Sequence, residues 1–458
     1  MDLYGPLLAR ALFPAFEAAR GRPTVPLLRY LRETERWSAG QLRELQGGLL
    51  RRLVRHAYRH TAYYRGLLDE HGLDPSDISS VDALVRLPLL DRATLRATFE
   101  TRMASAPPSA VITKTTSGSS GQPVKVSYNA ESRHWRDAIR WRGYGWAGYH
   151  IGMRALHYWG VGPTSTTSWW KRQKVAVDRL IKRDLYVDCT PRGDEALGDA
   201  VATLRRYEPH VMLAYPSGAA ALARHVIDRG LRTWDPLPVI TGAEALLPHD
   251  REVIERAFGP AFDTYGCREV MLIGSECEAH DGLHTSMENL IVEVIVRQPD
   301  GSQRVARPGE VGEIAITDLH NLASPMIRYL NGDLATVLSS EPCPCGRGLS
   351  KISTIEGRVT DTLYDGHGRP VGGLVFNILF GLIGHVARNF QITQRADRSV
   401  VFRIVPFEAS GVPARELRMI HDHAARYLPG APFAIEIVDD IPLTAAGKRR
   451  VVVVEKPA

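Results

Sequence analysis

The stretch from His210 to Gly266 limits the chain more than any other. "HVMLAYPS" (His210–Ser217) is a short apolar run, and "SGAAALARHVIDRG" follows it with helical spacing and a glycine stop. "LPVITGAE" is a second strand candidate, "LPHDREVIERAFG" a second helix and "AFDTYG" a third strand. Strands that read as continuous apolar runs are buried on both faces. In β-α-β-α-β order with short connections they require a parallel sheet covered by helices, hence an α/β fold.

The flanks read differently. Residues 27–105 are predicted to be helical: "QLRELQGGLLRRLVRHAYRHTAYYRGLLDEHG" carries leucines at helical spacing with arginines on the other face. "ENLIVEVIV" and "GEIAITDL" read as strands of a more antiparallel region. After about Thr360 the texture changes again. "DTLYDGHGRPV" suggests a hairpin, then a helix (Val375–Asn389), strands in "FQITQRA" and "VVFRIVP", a helix (Ala414–Tyr427) and a last strand in "FAIEIVDDIP". A chain of 458 residues is too long for one core. The expectation is a large body with parallel and mixed sheets over residues 1–359 and a small α+β lid over 360–458, meeting near "EGRVTD".

Bulk properties exclude several functions. Lys and Arg number 57 against 51 acids, a net +6, and no basic block is interleaved with aromatics, so no nucleic-acid partner is expected. The most apolar stretch, Leu374–Gly384, is too short to span a membrane and contains Asn377. "MDLYGPLLARALFPAFEAAR" has an early Asp and neither a basic n-region nor a clear cleavage site. It reads as a helix packed on the body rather than as a signal peptide or a helix lying on a membrane. Five cysteines, two of them one residue apart, suit a reducing cytoplasm better than a disulfide scaffold.

"TTSGSSGQP" (Thr115–Pro123) packs hydroxyls and glycines together without a charge. It is not a Walker loop, which needs a lysine followed by a hydroxyl. Gly118 and Gly121 let the backbone approach closely, and the N–H groups and hydroxyls of Thr115, Thr116, Ser117, Ser119 and Ser120 can surround phosphate oxygens. Taken alone, the stretch serves equally as a flexible linker.

This segment resembles the phosphate loop of adenylate-forming enzymes, the superfamily of acyl-CoA ligases, adenylation domains and luciferases, and most of all its phenylacetate–CoA ligase and CapK-like branch. The resemblance continues in order: the N-terminal region from His56, then "ITGAE" (Ile240–Glu244), "DTYGCREV", "MIRYLNGD", "EGRVTD" and "PLTAAGKRR". It implies that Thr116, Ser117, Gly118, Ser119, Ser120 and Gly121 hold phosphates and that Gly242, Ala243 and Glu244 lie beside the adenine. Tyr265, with Gly266 after it, would stack on adenine; as a bare residue Tyr265 is equally a strand-end core tyrosine. Glu269 would hold Mg²⁺, a hard cation that prefers carboxylate oxygen. Asp333 would accept from both ribose hydroxyls, and Arg328 or Arg358 would pair with phosphate or ribose. Lys448 would swing in with the lid and neutralise the carboxylate and α-phosphate. Two positions depart from the pattern: the loop's usual lysine is Gln122, and the residue two after the hinge arginine is Thr360, with Asp361 next.

A metal site is the second expectation. "GSECEAHDGLH" offers Cys277, His280 and His284, and "EPCPCGRG" offers Cys343 and Cys345; three thiols and an imidazole match a structural zinc shell. The resemblance selects Cys277, His284, Cys343 and Cys345, because the branch often carries cysteines and a histidine at these places. Cys189 and Cys267 read as small buried residues.

"RGYGWAG" formally contains a dinucleotide fingerprint, Gly143-x-Gly145-x-x-Gly148. It follows a helical stretch and precedes a strand, the reverse of the required context, and is rejected. The aromatics from Trp135 to Trp170 are mostly core. The resemblance puts part of the acyl pocket there and near "AYPSG", with Tyr158 and Tyr215 as wall candidates suited to an aryl or apolar acid.

The expected function is therefore ATP-dependent, AMP-forming activation of a carboxylic acid and transfer to the CoA thiol, with Mg²⁺ and a structural zinc. An amine, hydroxyl or carrier-protein thiol is the alternative acceptor, and a catalytically silent homologue the reading outside enzymology. A homodimer is compatible with either activity.

Overall fold

The computed structural model describes residues 2–115, 124–160, 169–298, 302–338, 341–358, 363–368, 370–371, 376, 386–408, 411–443 and 449–455. Its centre is the parallel sheet that the apolar runs require. Val211–Ala214, Val239–Thr241 and Ala261–Cys267 pair in parallel, with helices Pro216–Asp228 and Pro248–Ala257 between them. Ala155–Trp159 and Asp184–Asp188 extend the parallel part. Met271–Glu276, Leu283–Thr285 and Lys351–Ile352 extend the other edge antiparallel, giving an eight-stranded sheet among the described residues. Met212, Ala214 and Val239 pack beneath Ala219, Leu222, Ala223, Ile254 and Phe258, all buried. Each fully buried Leu, Ile or Phe of this kind contributes about 1.5–3 kcal/mol.

A second, antiparallel sheet of five strands holds Leu290–Arg297, Val311–Asp318, Tyr329–Thr336, Gln303–Val305 and Gly357–Arg358. The N-terminal helices lie against these layers. Helix Ala39–His60 starts at a capping box between Ser38 and Gln41, and its Leu50, Leu53, Val54 and Ala57 pack with Ile291, Leu319, Leu322 and Ile327. Buried ion pairs tie helix Ala130–Trp146 to the body. Arg142 donates twice to Glu288, at 2.6 and 3.1 Å, and Thr34 donates to the same carboxylate at 2.7 Å. Arg136 donates to Asp318 at 2.6 Å. Removing one partner of such a pair strands a buried charge, at about 3–5 kcal/mol. Gly143 and Gly145 lie within that helix, which disposes of the dinucleotide fingerprint.

The small domain is a four-stranded sheet. Ala387–Gln394 and Val400–Pro406 run antiparallel; Phe433–Ile437 and Val452–Val454 pair parallel to them. Helix Ala414–Tyr427 buries Ile420 and Ala424 on this sheet, and Leu363–Tyr364 pairs with Pro370–Val371 as the expected hairpin. Two boundaries change. The helix expected over Val375–Asn389 runs too far, because Ala387–Asn389 belong to a strand; most of the rest lies outside the described residues. Val452–Val454 is a further strand beyond the one expected to be last, since three β-branched residues fill an open sheet edge. Helix Trp169–Lys182, strand Asp184–Asp188 and helix Asp194–Tyr207 have no counterpart in the sequence reading.

Candidate active site

Three loops converge because each follows the carboxyl end of a neighbouring parallel strand: Tyr215–Ser217 after Val211–Ala214, Gly242–Glu244 after Val239–Thr241, and Tyr265–Gly266 at the end of Ala261–Cys267. That is where open α/β sheets bind ligands. The loops are tightly shaped. A Cβ on Gly242 would stand 2.8 Å from Thr264 Oγ1, and Ala243 adopts φ +68°. A Cβ on Gly266 would meet the carbonyl oxygen of Met271 at 2.3 Å, where the ladder bulges between Tyr265 and Gly266.

A buried polar group faces these loops from the second sheet. Tyr265 Oη donates to Asp333 Oδ2 at 2.8 Å. Asn331 Nδ2 bonds the same oxygen at 3.0 Å and also Tyr265 Oη, while Asp333 N donates to Asn331 Oδ1 at 3.1 Å. Burial, then the nearby Asp333 carboxylate, pushes the Tyr265 phenol well up, so it stays a donor. Strand pairing sets Arg358 opposite Asp333; the Arg358 side chain lies outside the described residues. Glu269, buried, accepts from Tyr329 Oη at 3.3 Å and from Arg92 at 3.4 Å. Asn331, Tyr329 and Arg92 do not stand out in the sequence reading. Asn331 was legible as the polar residue two before Asp333; Arg92, far away in the chain, was not.

The C-terminal segment reaches the loop Gly242–Glu244 through Arg449. Its backbone N–H donates to Glu244 Oε1 at 2.7 Å, and the other Glu244 oxygen caps the N-terminus of helix Pro216–Asp228 by accepting from Ser217 N at 3.1 Å. The Arg449 guanidinium donates to Asp250 Oδ2 at 2.6 Å, and Arg224 donates to Asp250 Oδ1 at 3.0 Å. Burial alone would raise the Asp250 carboxyl. Arg449, then His249 and Arg224, more than reverse this and hold it well below the usual range. Lys448, one residue earlier, lies outside the described residues, as do Thr116, Ser117, Gly118, Ser119, Ser120, Gly121, Gln122, Thr360 and Asp361.

Two assignments change. Arg328 does not face phosphate or ribose. At φ +55° it is buried, donates twice to Glu293 at 3.0 and 3.1 Å, and donates to the Leu87 carbonyl at 2.5 Å. It therefore locks the second sheet to the N-terminal segment. Tyr158 is a core side chain in this structure, packed with Cys189 and Tyr215 in one closed cluster; Tyr215 also lies 4.2 Å from the Trp159 ring. Cys189 is buried as expected, while Cys267 is half-buried.

The cysteines and histidine separated in sequence come together in space. The ligand atoms of Cys277, His284, Cys343 and Cys345 lie within 4.8 Å of one another. Cys277 Sγ is 3.8 Å from Cys343 Sγ, and Cys345 Sγ is 3.3 Å from His284 Nε2. His284 Nδ1 is 3.1 Å from the Leu349 carbonyl, which selects the tautomer that leaves Nε2 with a lone pair. Burial, then neighbouring Arg347 and Lys351, keeps this imidazole neutral, with its pKa lowered to about 4. Backbone N–H groups of Ala279 and Arg347 point at Cys277 and Cys345 sulfur. Three thiols and a neutral imidazole at these separations fit a tetrahedral ion. His280 is not in the set; it pairs with Glu276 at 3.3 Å.

No protein-family model matches the chain. It is 28% identical to the phenylacetate-coenzyme A ligase of Thermus thermophilus over 342 residues, 73% of this chain and 74% of that one. It is 21% identical to the CapK protein of Staphylococcus aureus over 418 residues, 89% of this chain and 88% of that one. A crystal structure of 2-hydroxyisobutyryl-CoA ligase in the postadenylation state superposes with TM-score 0.71 over 92% of this chain and 90% of that one, at 18% identity, and shares the fold. Along most of its length the chain is thus similar to phenylacetate-coenzyme A ligases and to the CapK protein, and it shares its fold with a CoA ligase.

Proposed function

We propose that the chain activates a carboxylic acid with ATP and passes the acyl group to the CoA thiol. A carboxylate oxygen attacks the α-phosphorus and pyrophosphate leaves; the thiolate then attacks the carbonyl carbon and AMP leaves. The observation that carries the reading is the union of two features: the buried Tyr265–Asn331–Asp333 group at the carboxyl ends of the strands, and a small domain docked there through Arg449, the neighbour of Lys448.

In this reading Asp333 accepts from the ribose hydroxyls and Tyr265 covers the adenine, with Gly242–Glu244 on its other side. Glu269 supplies an oxygen to Mg²⁺. Lys448 offsets the negative charge that grows between carboxylate and α-phosphate, and the loop Thr116–Gly121 holds the phosphates. No side-chain nucleophile is needed; positioning and charge neutralisation suffice. An aryl or otherwise apolar acid is the substrate class, in keeping with the phenylacetate-coenzyme A ligase relatives. Cys277, His284, Cys343 and Cys345 would hold a structural zinc that pins strand Leu283–Thr285 to the 343–345 turn. The unpaired cysteines and the ATP and CoA requirement fit the cytoplasm.

A non-CoA acceptor is the second reading. It rests on the hinge departure at Thr360–Asp361 and on the CapK relationship, which spans 89% of the chain. The test is pyrophosphate release with Mg·ATP and a panel of aryl, acyl and amino acids, with and without CoA, beside Lys448→Ala. Release that the variant reduces by about 10²–10³ establishes adenylation. A thioester product only when CoA is present selects the first acceptor. Release without thioester selects the second, and no release across the panel removes support for both.

A further inference from the structure

Helix Trp169–Lys182 is mounted inside out. Asp178, Arg179 and Lys182 face the body, where they line a cavity of about 380 Å³ with Arg140, Tyr149, Asp184 and Tyr186. Lys182 donates to Asp178 at 2.8 Å, and the Arg179 guanidinium sits 3.8 Å from the Tyr186 ring centre. The opposite arc, at helical spacing, is Trp169, Trp170, Gln173, Val177, Leu180 and Ile181, all exposed, with Trp170 at 75% and Leu180 at 78%. Leaving this arc in water is unfavourable by the usual apolar terms, so an outward apolar face on a charged helix marks something that covers it.

The N-terminal helical segment Tyr4–Ala19 enlarges the face. It buries Leu8 and Phe13 on the body, as a packed helix should, and exposes Tyr4, Leu7, Leu12 and Phe16, with exposed Leu3 just before it. Tyr4 Oη donates to the Ile181 carbonyl at 2.9 Å, and Arg183 pairs with Asp2 at 2.6 Å, so the two apolar faces adjoin.

Charge decides what the face meets. Arg179 and Lys182 turn to the body and Arg183 pairs with Asp2, but Lys171, Arg172 and Lys174 add three positive charges to the first two turns of the helix, where the sequence places no acid. Among the described side chains the outward arc holds no charge, only the polar Gln173. Paired tryptophans and aliphatics flanked by lysine and arginine are the composition of a helix that lies in the headgroup layer of an anionic bilayer. We infer that helix Trp169–Lys182 and the N-terminal segment form an interfacial face that seats this protein on an anionic membrane surface without crossing it. This goes against the expectation that the N-terminal segment is a helix packed on the body and not one lying on a membrane.

The experiment is sedimentation of the full chain with vesicles of phosphatidylcholine alone or with about a third phosphatidylglycerol, with tryptophan emission recorded. The double variant Val177→Glu/Leu180→Glu serves as comparison; both side chains project outward, and neither belongs to the active site. The expected result is binding to anionic vesicles with a blue shift, about tenfold weaker on the neutral ones or at high salt, and about tenfold or more weaker for the variant. Pyrophosphate release in solution stays unchanged in the variant. Absence of sedimentation with anionic vesicles, or equal sedimentation of the variant, overturns the inference. So does a dimer in light scattering that the variant splits without any vesicle binding, which assigns the face to a second copy of the chain.

Discussion

Arg449 of the small domain sets its guanidinium 2.6 Å from the carboxylate of Asp250, a residue of the large body with no exposed surface. Arg224 occupies the other oxygen, so Asp250 carries two cations, one from each domain. The pair fixes the backbone at Arg449, the residue that follows Lys448 in the sequence.

Arg449→Ala should therefore slow adenylation more than thioester formation. Losing one partner of a buried pair costs about 2 kcal/mol or more, roughly thirtyfold in rate. Single-turnover assays read the two steps separately, pyrophosphate release for the first and CoA capture of preformed acyl-adenylate for the second. Equal losses in both would reduce the pair to a structural role.

Asp333→Asn and Tyr265→Phe should weaken ATP binding by different amounts. The first removes a charged acceptor, worth about 1.5–3 kcal/mol, and should raise KM for ATP tenfold or more. The second removes one hydroxyl and should raise it by less than about tenfold. Steady-state kinetics with ATP varied checks the order; an unchanged KM in Asp333→Asn would move the ribose site elsewhere.

Arg328→Met should leave KM for ATP unchanged while lowering stability by about 3–5 kcal/mol, because Glu293 remains buried without its partner. Urea denaturation measures the loss, and adding Glu293→Leu should recover part of it. A selective loss of ATP affinity would restore Arg328 to the nucleotide site.

Asp263 gives a pH dependence. Burial, then the adjacent Glu276, raises its carboxyl to about 7, while Thr241 and Thr264 N donate to it. With the folded pKa above the unfolded one, the folded state holds the extra proton between about pH 4 and 7. Stability from this group therefore falls as pH rises through that window. Asp263→Asn should flatten the fall in denaturation curves taken at pH 5 and 8.

The protein as purified should carry about one zinc per chain by elemental analysis. Cys343→Ser should lose it, and chelation should lower Tm in the wild type but not in that variant. A metal-free wild type with unchanged Tm would return the four residues to ordinary packing.

Much of this was legible along the chain because the relevant interactions are local or periodic. Continuous apolar runs separated by helical periods specify a parallel sheet, and the loops after its strands then fall at its carboxyl edge. Tyr265, Asp333 and Glu269 were named through the resemblance of their motifs to the adenylate-forming family, which also selected Cys277, His284, Cys343 and Cys345 from the candidate ligands. Arg328 was expected at phosphate or ribose because an arginine beside a motif carries no mark of where its side chain turns; from its left-handed backbone it bonds Glu293 and the Leu87 carbonyl. The Val375–Asn389 helix was drawn too long because apolar strands and buried helices look alike over short runs.

The order of residues settled the fold class and the chemical kinds of side chain available, since those follow from periodicity and composition. Tertiary structure alone decided which distant charges meet. Asp250 with Arg449, Glu269 with Arg92, and the outward face of Trp169–Lys182 depend on how separate elements pack, and no local preference encodes that.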